Sequence, residues 1–273
     1  MAKTGKTILW IAGILVGLLL AAVIALYVVL TSYDFNSLKP RIEEAALEAT
    51  GRKLVLGGDI NLNIGLSPAL VVEDVRFANA EWGSKENMAS IERFEVQVAL
   101  LPLISGDVEV KRLVAIRPDI LVETSSKGQS NLVMKATSQE QKPSQPQAGG
   151  GGLPVLTVYD LRVQEASLTY KDGQTGQTSS LSIAKFQATS TSGQSPIEMD
   201  LKGTVNDIDF SLTGSLGSIK ALTDPNLAWP IDVTIKGPGS SLAIEGNIQD
   251  PMTPEGIALT LGADVNAPDR LNA

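Results

Sequence analysis

The chain reads as a mainly β body carried behind a single membrane-crossing helix. Three observations predict this. Ile8 to Leu30 contain no charged residue. From Leu54 onward, short runs alternate apolar and polar residues between turn signals. A hairpin-like unit then recurs at an interval of thirty-four residues, with Ile197, Gly203 and Ile208 matched by Ile231, Gly237 and Leu242.

The anchor comes first. A helix rises about 1.5 Å per residue against a hydrocarbon core about 30 Å thick, so roughly 20 residues suffice to cross. Residues 8–30 exceed that length, and also the roughly 7–15-residue core of a cleavable signal peptide. Ala21, Ala22 and Ala25 lack A-x-A spacing, so an uncleaved helix is expected. Lys3 and Lys6 place residues 1–7 in the cytoplasm and the body on the outer side. Within the span, Gly13 and Gly17 form a GxxxG pair of the kind that packs two membrane helices closely.

A juxtamembrane helix is expected over 36–50. Asn36 or Ser37 supplies its N-cap, Pro40 falls in its first turn, and Gly51 ends it. Residues 51–136 form a first β-region. Ile60, Leu62 and Ile64 alternate with asparagines, and Phe94, Val96, Val98 and Leu100 repeat the pattern. Ser67-Pro68, Trp82-Gly83-Ser84 and Ser105-Gly106 mark the turns. Residues 137–152, TSQEQKPSQPQAGGGG, have too little apolar surface to offset ordering and read as a flexible linker. Residues 153–273 then form the hairpin-repeat region. Ile197, Met199 and Leu201 lead through Asn206-Asp207 into Ile208, Phe210 and Leu212. Ile231, Val233 and Ile235 lead through Pro238-Gly239 into Leu242 and Ile244. A third unit opens at Ile257, so the repeat region is expected to be part of a longer body.

Composition excludes several functions. There is no Cys and no His among 273 residues, which removes thiol chemistry, imidazole bases and the usual zinc and haem ligand sets. A formal net charge of −8 argues against nucleic acid, whose phosphates need clustered Lys and Arg. Ser182 and Lys185 match SxxK, but on a strand positions three apart are expected on opposite faces. Gly5-Lys6-Thr7 lacks the loop that precedes a phosphate-binding lysine, and Asp207 with Asp209 lacks a complete oxygen-ligand spacing. No enzyme, cofactor or metal site is expected.

A lone hairpin is marginal in water, so its apolar face needs a cover. Either a second sheet supplies it, giving a β-sandwich, or a ligand such as lipid tails does, giving an open groove. Aromatic residues at only 4% leave few bulky rings for an inter-sheet core.

Thr50 to Ile64 (TGRKLVLGGDINLNI), Ser67 to Gly83, Met88 to Ile120 and Gly246 to Val265, in this order behind an anchor, resemble the AsmA family. Family members usually continue through further β-rich sequence. The resemblance implies an inner-membrane protein of a Gram-negative envelope with its body in the periplasm. It also implies kinship with bridge-like lipid transfer proteins, and hence an elongated antiparallel β-sheet curled into an open groove. Lipid transport or outer-membrane homeostasis is then the expected role, with membrane lipids as partners. The expected lipid-contact residues are Ile60, Leu62, Ile64, Ile197, Met199, Leu201, Ile231, Val233, Ile235, Leu242 and Ile244. The alternative is a periplasmic scaffold that affects outer-membrane protein biogenesis through contacts with envelope proteins, or with further copies of itself.

Overall fold

A computed structural model of the chain describes residues 33–65, 67–100, 102, 109–134, 157–224, 226–251 and 255–265. The expected span with Gly13 and Gly17, the Ser105-Gly106 turn and the 137–152 linker lie outside the described residues. Among the described residues, no helix is long and apolar enough to cross a membrane.

A 3-10 turn, Phe35–Leu38, opens the described chain and runs into helix α1, Lys39–Thr50. The cap is Asp34, whose carboxylate accepts the Asn36 N–H at 3.0 Å, and not Asn36 or Ser37. The reason is the tighter first turn, which moves the start of the helical region upstream. Pro40 sits in the first turn of α1, and Gly51 ends it at φ 69°. Asn36 takes a different task. Its side-chain oxygen accepts the Ile60 N–H at 2.9 Å, and Glu43 accepts the Leu56 N–H at 2.8 Å. The 3-10 turn and α1 thereby satisfy backbone donors of the first sheet edge.

The strands follow as β1 Leu54–Leu56, β2 Ile60–Asn63, β3 Ala69–Ala78, β4 Asn87–Val98, β5 Glu109–Ile116, β6 Asp119–Glu123 and β7 Thr157–Val158. Next come β8 Asp160–Lys171, β9 Thr178–Thr189, β10 Ile197–Val205 and β11 Ile208–Leu216. A short helix α2, Ile219–Thr223, precedes β12 Trp229–Gly237, β13 Ser240–Asp250 and β14 Glu255–Val265. All fourteen belong to one sheet, in the order β1-β3-β4-β5-β8-β9-β10-β11-β12-β13-β14, with β2 on β3, β6 between β4 and β8, and β7 on β5.

Two expectations are corrected. The sheet is mixed, because β8 runs parallel to β5 and β6, and β7 runs parallel to β5. Antiparallel neighbours need only a tight turn, whereas parallel ones need a crossover of a dozen or more residues. The stretch between β6 and β7, which contains residues 137–152, supplies that length. The sandwich is also set aside, since the described strands form one sheet and not two.

The repeated hairpins close as their turn residues dictate. Asn206 and Asp207 take φ of 48° and 65°, the left-handed pair that a two-residue hairpin turn prefers. Gly239 takes φ 69° between Gly237 and its partner Ser240. The densest packing lies in the N-terminal part. There Ile60 and Ala115 are buried on one face of the sheet, Val71 and Leu121 on the other.

Candidate functional site

Cross-strand partners in a β-sheet share a face, so the register alone traces what each side presents. One row runs Leu62, Leu70, Val96, Leu113, Leu161, Ala188, Met199, Gly214, Val233, Ile244 and Leu261. Beside it runs Ile60, Val72, Phe94, Ala115, Val163, Phe186, Leu201, Leu212, Ile235, Leu242 and Ala263. A third row carries Ile197, Leu216, Ile231, Gly246 and Leu259. The two long rows cross eleven strands without a polar side chain. At about 4.8 Å per strand, that makes an apolar track on the order of 50 Å long.

The track is not sealed like a domain core. Within the two long rows only Ile60, Ala115 and Val233 are buried, whereas Leu70 and Leu261 are exposed and the remaining large side chains are half-buried. From β8 onward the other face is polar. The row behind Met199 and Leu201 reads Arg162, Gln187, Asp200, Thr213 and Thr234. Ion pairs decorate that face: Lys185 reaches Asp200 at 3.0 Å, and Asp160 receives Arg162 at 2.8 Å and Arg112 at 2.9 Å. Burial would raise the Asp160 pKa, but hydrogen bonds from the two guanidinium groups outweigh it and hold the carboxyl below its ordinary value.

Of the residues expected to line a groove, ten fall in these three rows. Ile64 lies one residue beyond β2 and outside the ladder. Gly13 and Gly17 lie outside the described residues. The sequence reading passed over Leu161, Val163, Phe186 and Ala188. Bulges explain the omission. In β8, Glu165 takes φ 52°, and between β9 and β10 the register slips at Lys202/Gly203. Each irregularity shifts the parity of the residues beyond it, so the alternation breaks within one strand. The cue was two half-length alternating runs, Leu161-Val163 then Ala166-Leu168-Tyr170.

The same bulge corrects the SxxK argument. Ser182 pairs with Ser167 and Thr204, Lys185 with Gln164 and Lys202, which puts both on the polar face. The Lys185 ammonium is held by Asp200 instead of by Ser182. Asp207 sits in the β10–β11 turn and Asp209 on β11; among the described residues, no group of three or more acidic side chains is placed to hold a metal ion.

One buried polar cluster stands apart from the track. Glu123 accepts from Asn79 Nδ2 and from the Ser84 N–H, both at 2.7 Å. Asn131, with no exposed surface, accepts the Glu123 N–H and donates to Asn79 Oδ1 and the Leu121 carbonyl. Burial would raise the Glu123 pKa; the Ser84 and Asn79 hydrogen bonds and the nearby Lys171 charge together keep it lowered. These links pin the β3–β4 turn and the segment after β6, so the cluster serves packing.

Comparison with known proteins points to the family that the ordered sequence segments resemble. The chain is similar to the AsmA family protein YhjG of Escherichia coli (strain K12), at 21% identity over 289 aligned positions covering 96% of this chain. It spans 41% of that protein's length. The AsmA family profile matches residues 1–249, which takes in every described element up to β13. With a match that extends over most of its sequence, the chain belongs to the AsmA family.

Proposed function

We propose that this chain is an inner-membrane-anchored periplasmic protein that shields lipid acyl chains in an apolar β-groove, in lipid transport or outer-membrane homeostasis. One observation carries the reading: two contiguous apolar rows cross eleven strands while most of their side chains stay partly exposed. Exposing a methylene to water costs about 0.8 kcal/mol, so a sixteen-carbon tail costs on the order of 10 kcal/mol. Tails laid along the rows of Met199 and Leu201 escape that cost, while head groups stay at a wet rim. The work is binding and not catalysis. Contacts of this kind are non-directional and repeat from strand to strand, which suits a guest that slides. Residues 8–30 hold the track beside the bilayer.

Photo-crosslinking residues at Met199 and Leu242, with Glu198 and Glu245 on the opposite face as controls, test this in the full-length protein in cells. Phospholipid adducts are expected at the first two positions at least tenfold above the controls. Equal labelling at all four, or none, overturns the reading.

A further inference from the structure

From β3 to β9 the sheet carries one extra residue per strand at the same level. Glu73 pairs with Arg93 and Val75 with Ile91, which leaves Asp74 facing Glu92 outside the ladder. Arg117 falls at this level where β5 passes into β6, between the Arg93–Ile116 and Ser90–Asp119 pairs. Gln164 and Ala166 pair with Lys185 and Ile183, which sets Glu165 against Ala184. The seam stops at β10, where Lys202 and Gly203 take Lys185 and Ile183 with nothing between them. Asp74, Arg117 and Glu165 take φ of 49°, 48° and 52°, a costly conformation for residues with a Cβ. Ion pairs join the seam's charges, Arg117 to Glu92 and Glu165, and Arg76 to Asp74.

An extra residue reverses the face that the following side chains take. Beyond the seam, apolar residues therefore return to the side of the track. The first row past it holds Ala166, Ile183, Gly203 and Phe210, and the second Ile120, Leu168, Leu181, Val205 and Ile208. Val205 and Ile208 are 45% and 60% exposed. The first of these rows is low, because Ala166, Gly203 and, two residues past Ile235, Gly237 carry little or no side chain. A trough of about 780 Å³ with a mostly apolar lining is centred on it across β8–β12, where each strand gives its row residue and the two neighbours. That volume falls within the range of small-molecule sites.

We infer that this trough is a second tail seat and that the lipid carried is two-tailed. One chain lies along the row of Leu201, Leu212 and Ile235, and the other beside it over Gly203 and Gly237. The inference rests on the carrier reading above and adds the number of tails to it. Continuity with the track selects the occupant: the trough runs across the same strands, one row step away. That step is two residues, about 6.8 Å along a strand. Two tails joined at neighbouring carbons of one head group lie side by side at such a spacing. Leu201 and Leu212 wall the seat on the track side, and Val205 and Ile208 wall it on the other. A one-tailed lipid fills the track and leaves the trough empty.

The test offers the full-length protein in detergent equal amounts of diacyl phosphatidylethanolamine and its one-tailed lyso form, and reads bound lipid by mass spectrometry. The natural sequence is expected to hold the two-tailed form at least tenfold over the other. Gly237→Trp fills the trough without straining the chain, since an added Cβ meets nothing nearer than Ser240 Oγ at 3.6 Å. It is expected to bring the ratio within threefold, with the one-tailed lipid held within a factor of two of its former level. Asp232→Trp, exposed on the polar face of the same strand, is expected to leave the ratio unchanged. Ile208→Asp, at an exposed wall position, is expected to lower the ratio at least threefold, and it decides the matter if Gly237→Trp does not fold. Equal retention of both forms by the natural sequence, or an unchanged ratio in the folded variant, overturns the seat and leaves the carrier reading standing. Retention of neither lipid overturns the carrier reading, and the seat falls with it.

Discussion

Glu123 and Asn131 show how much the N-terminal packing depends on single side chains. Asn131 uses its amide N–H groups and its oxygen on partners at 2.8–3.0 Å with no exposure to water. Asn131→Ala removes these three buried bonds, and a loss of about 2–3 kcal/mol in urea unfolding is expected. Glu123 is tied to pH. Its pKa is lower folded than in the unfolded chain, where it lies near 4.5. Its contribution is therefore present above that value and lost as pH falls through the lower, folded one. Glu123→Gln, which turns an acceptor toward two donors into a mixed group, is expected to lower stability by about 1–3 kcal/mol at pH 7. It should also flatten the acid limb of the stability profile below about pH 4.5. Two glycines matter for the opposite reason. Gly214 and Gly246 take φ of 147° and 148°, and an added Cβ would lie 2.1 Å and 2.0 Å from the Asp232 and Ala258 carbonyl oxygens of the neighbouring strand. Gly214→Ala is expected to cost about 1–3 kcal/mol, measured as a drop in Tm.

Among the elements, α1 works as an edge guard more than as a packed helix, for none of its residues is buried. Removing the two acceptors, Asn36 of the preceding 3-10 turn and Glu43 of α1, with Asn36→Ala and Glu43→Ala is expected to speed hydrogen exchange at the Ile60 and Leu56 amides, and to cost about 1 kcal/mol per bond. No side-chain pattern announces this role, because an acceptor's partner is chosen in space, as Asn36 and Ile60 illustrate. Turns were far easier to read. Asn206, Asp207 and Gly239 are residue types that tolerate left-handed backbone, and Pro238 has the fixed φ that turns favour, so both hairpins were visible from their turn residues alone. Strands β8 and β9 were not, since bulges at Glu165 and Ala184 break each alternating run in two.

At the scale of the molecule, the register joins side chains from eleven strands into one apolar track backed, from β8 onward, by a polar face. Leu212 lies in that track between Leu201 and Ile235, and Thr213 is its neighbour on the polar side. Leu212→Lys is expected to lower co-purified phospholipid at least tenfold by mass spectrometry, while Thr213→Lys leaves it within a factor of two. Family kinship, the β character, the repeated hairpins and most apolar positions were legible in the residues, because alternation and turn chemistry are encoded within a few neighbours. The parallel joining of β5 and β6 to β8 was not, nor was the choice of a single sheet over a sandwich. Both depend on which distant strands meet, and the pairing energy of a strand edge is nearly the same for any partner of matching alternation. Long-range register, settled only when the whole sheet assembles, breaks that tie.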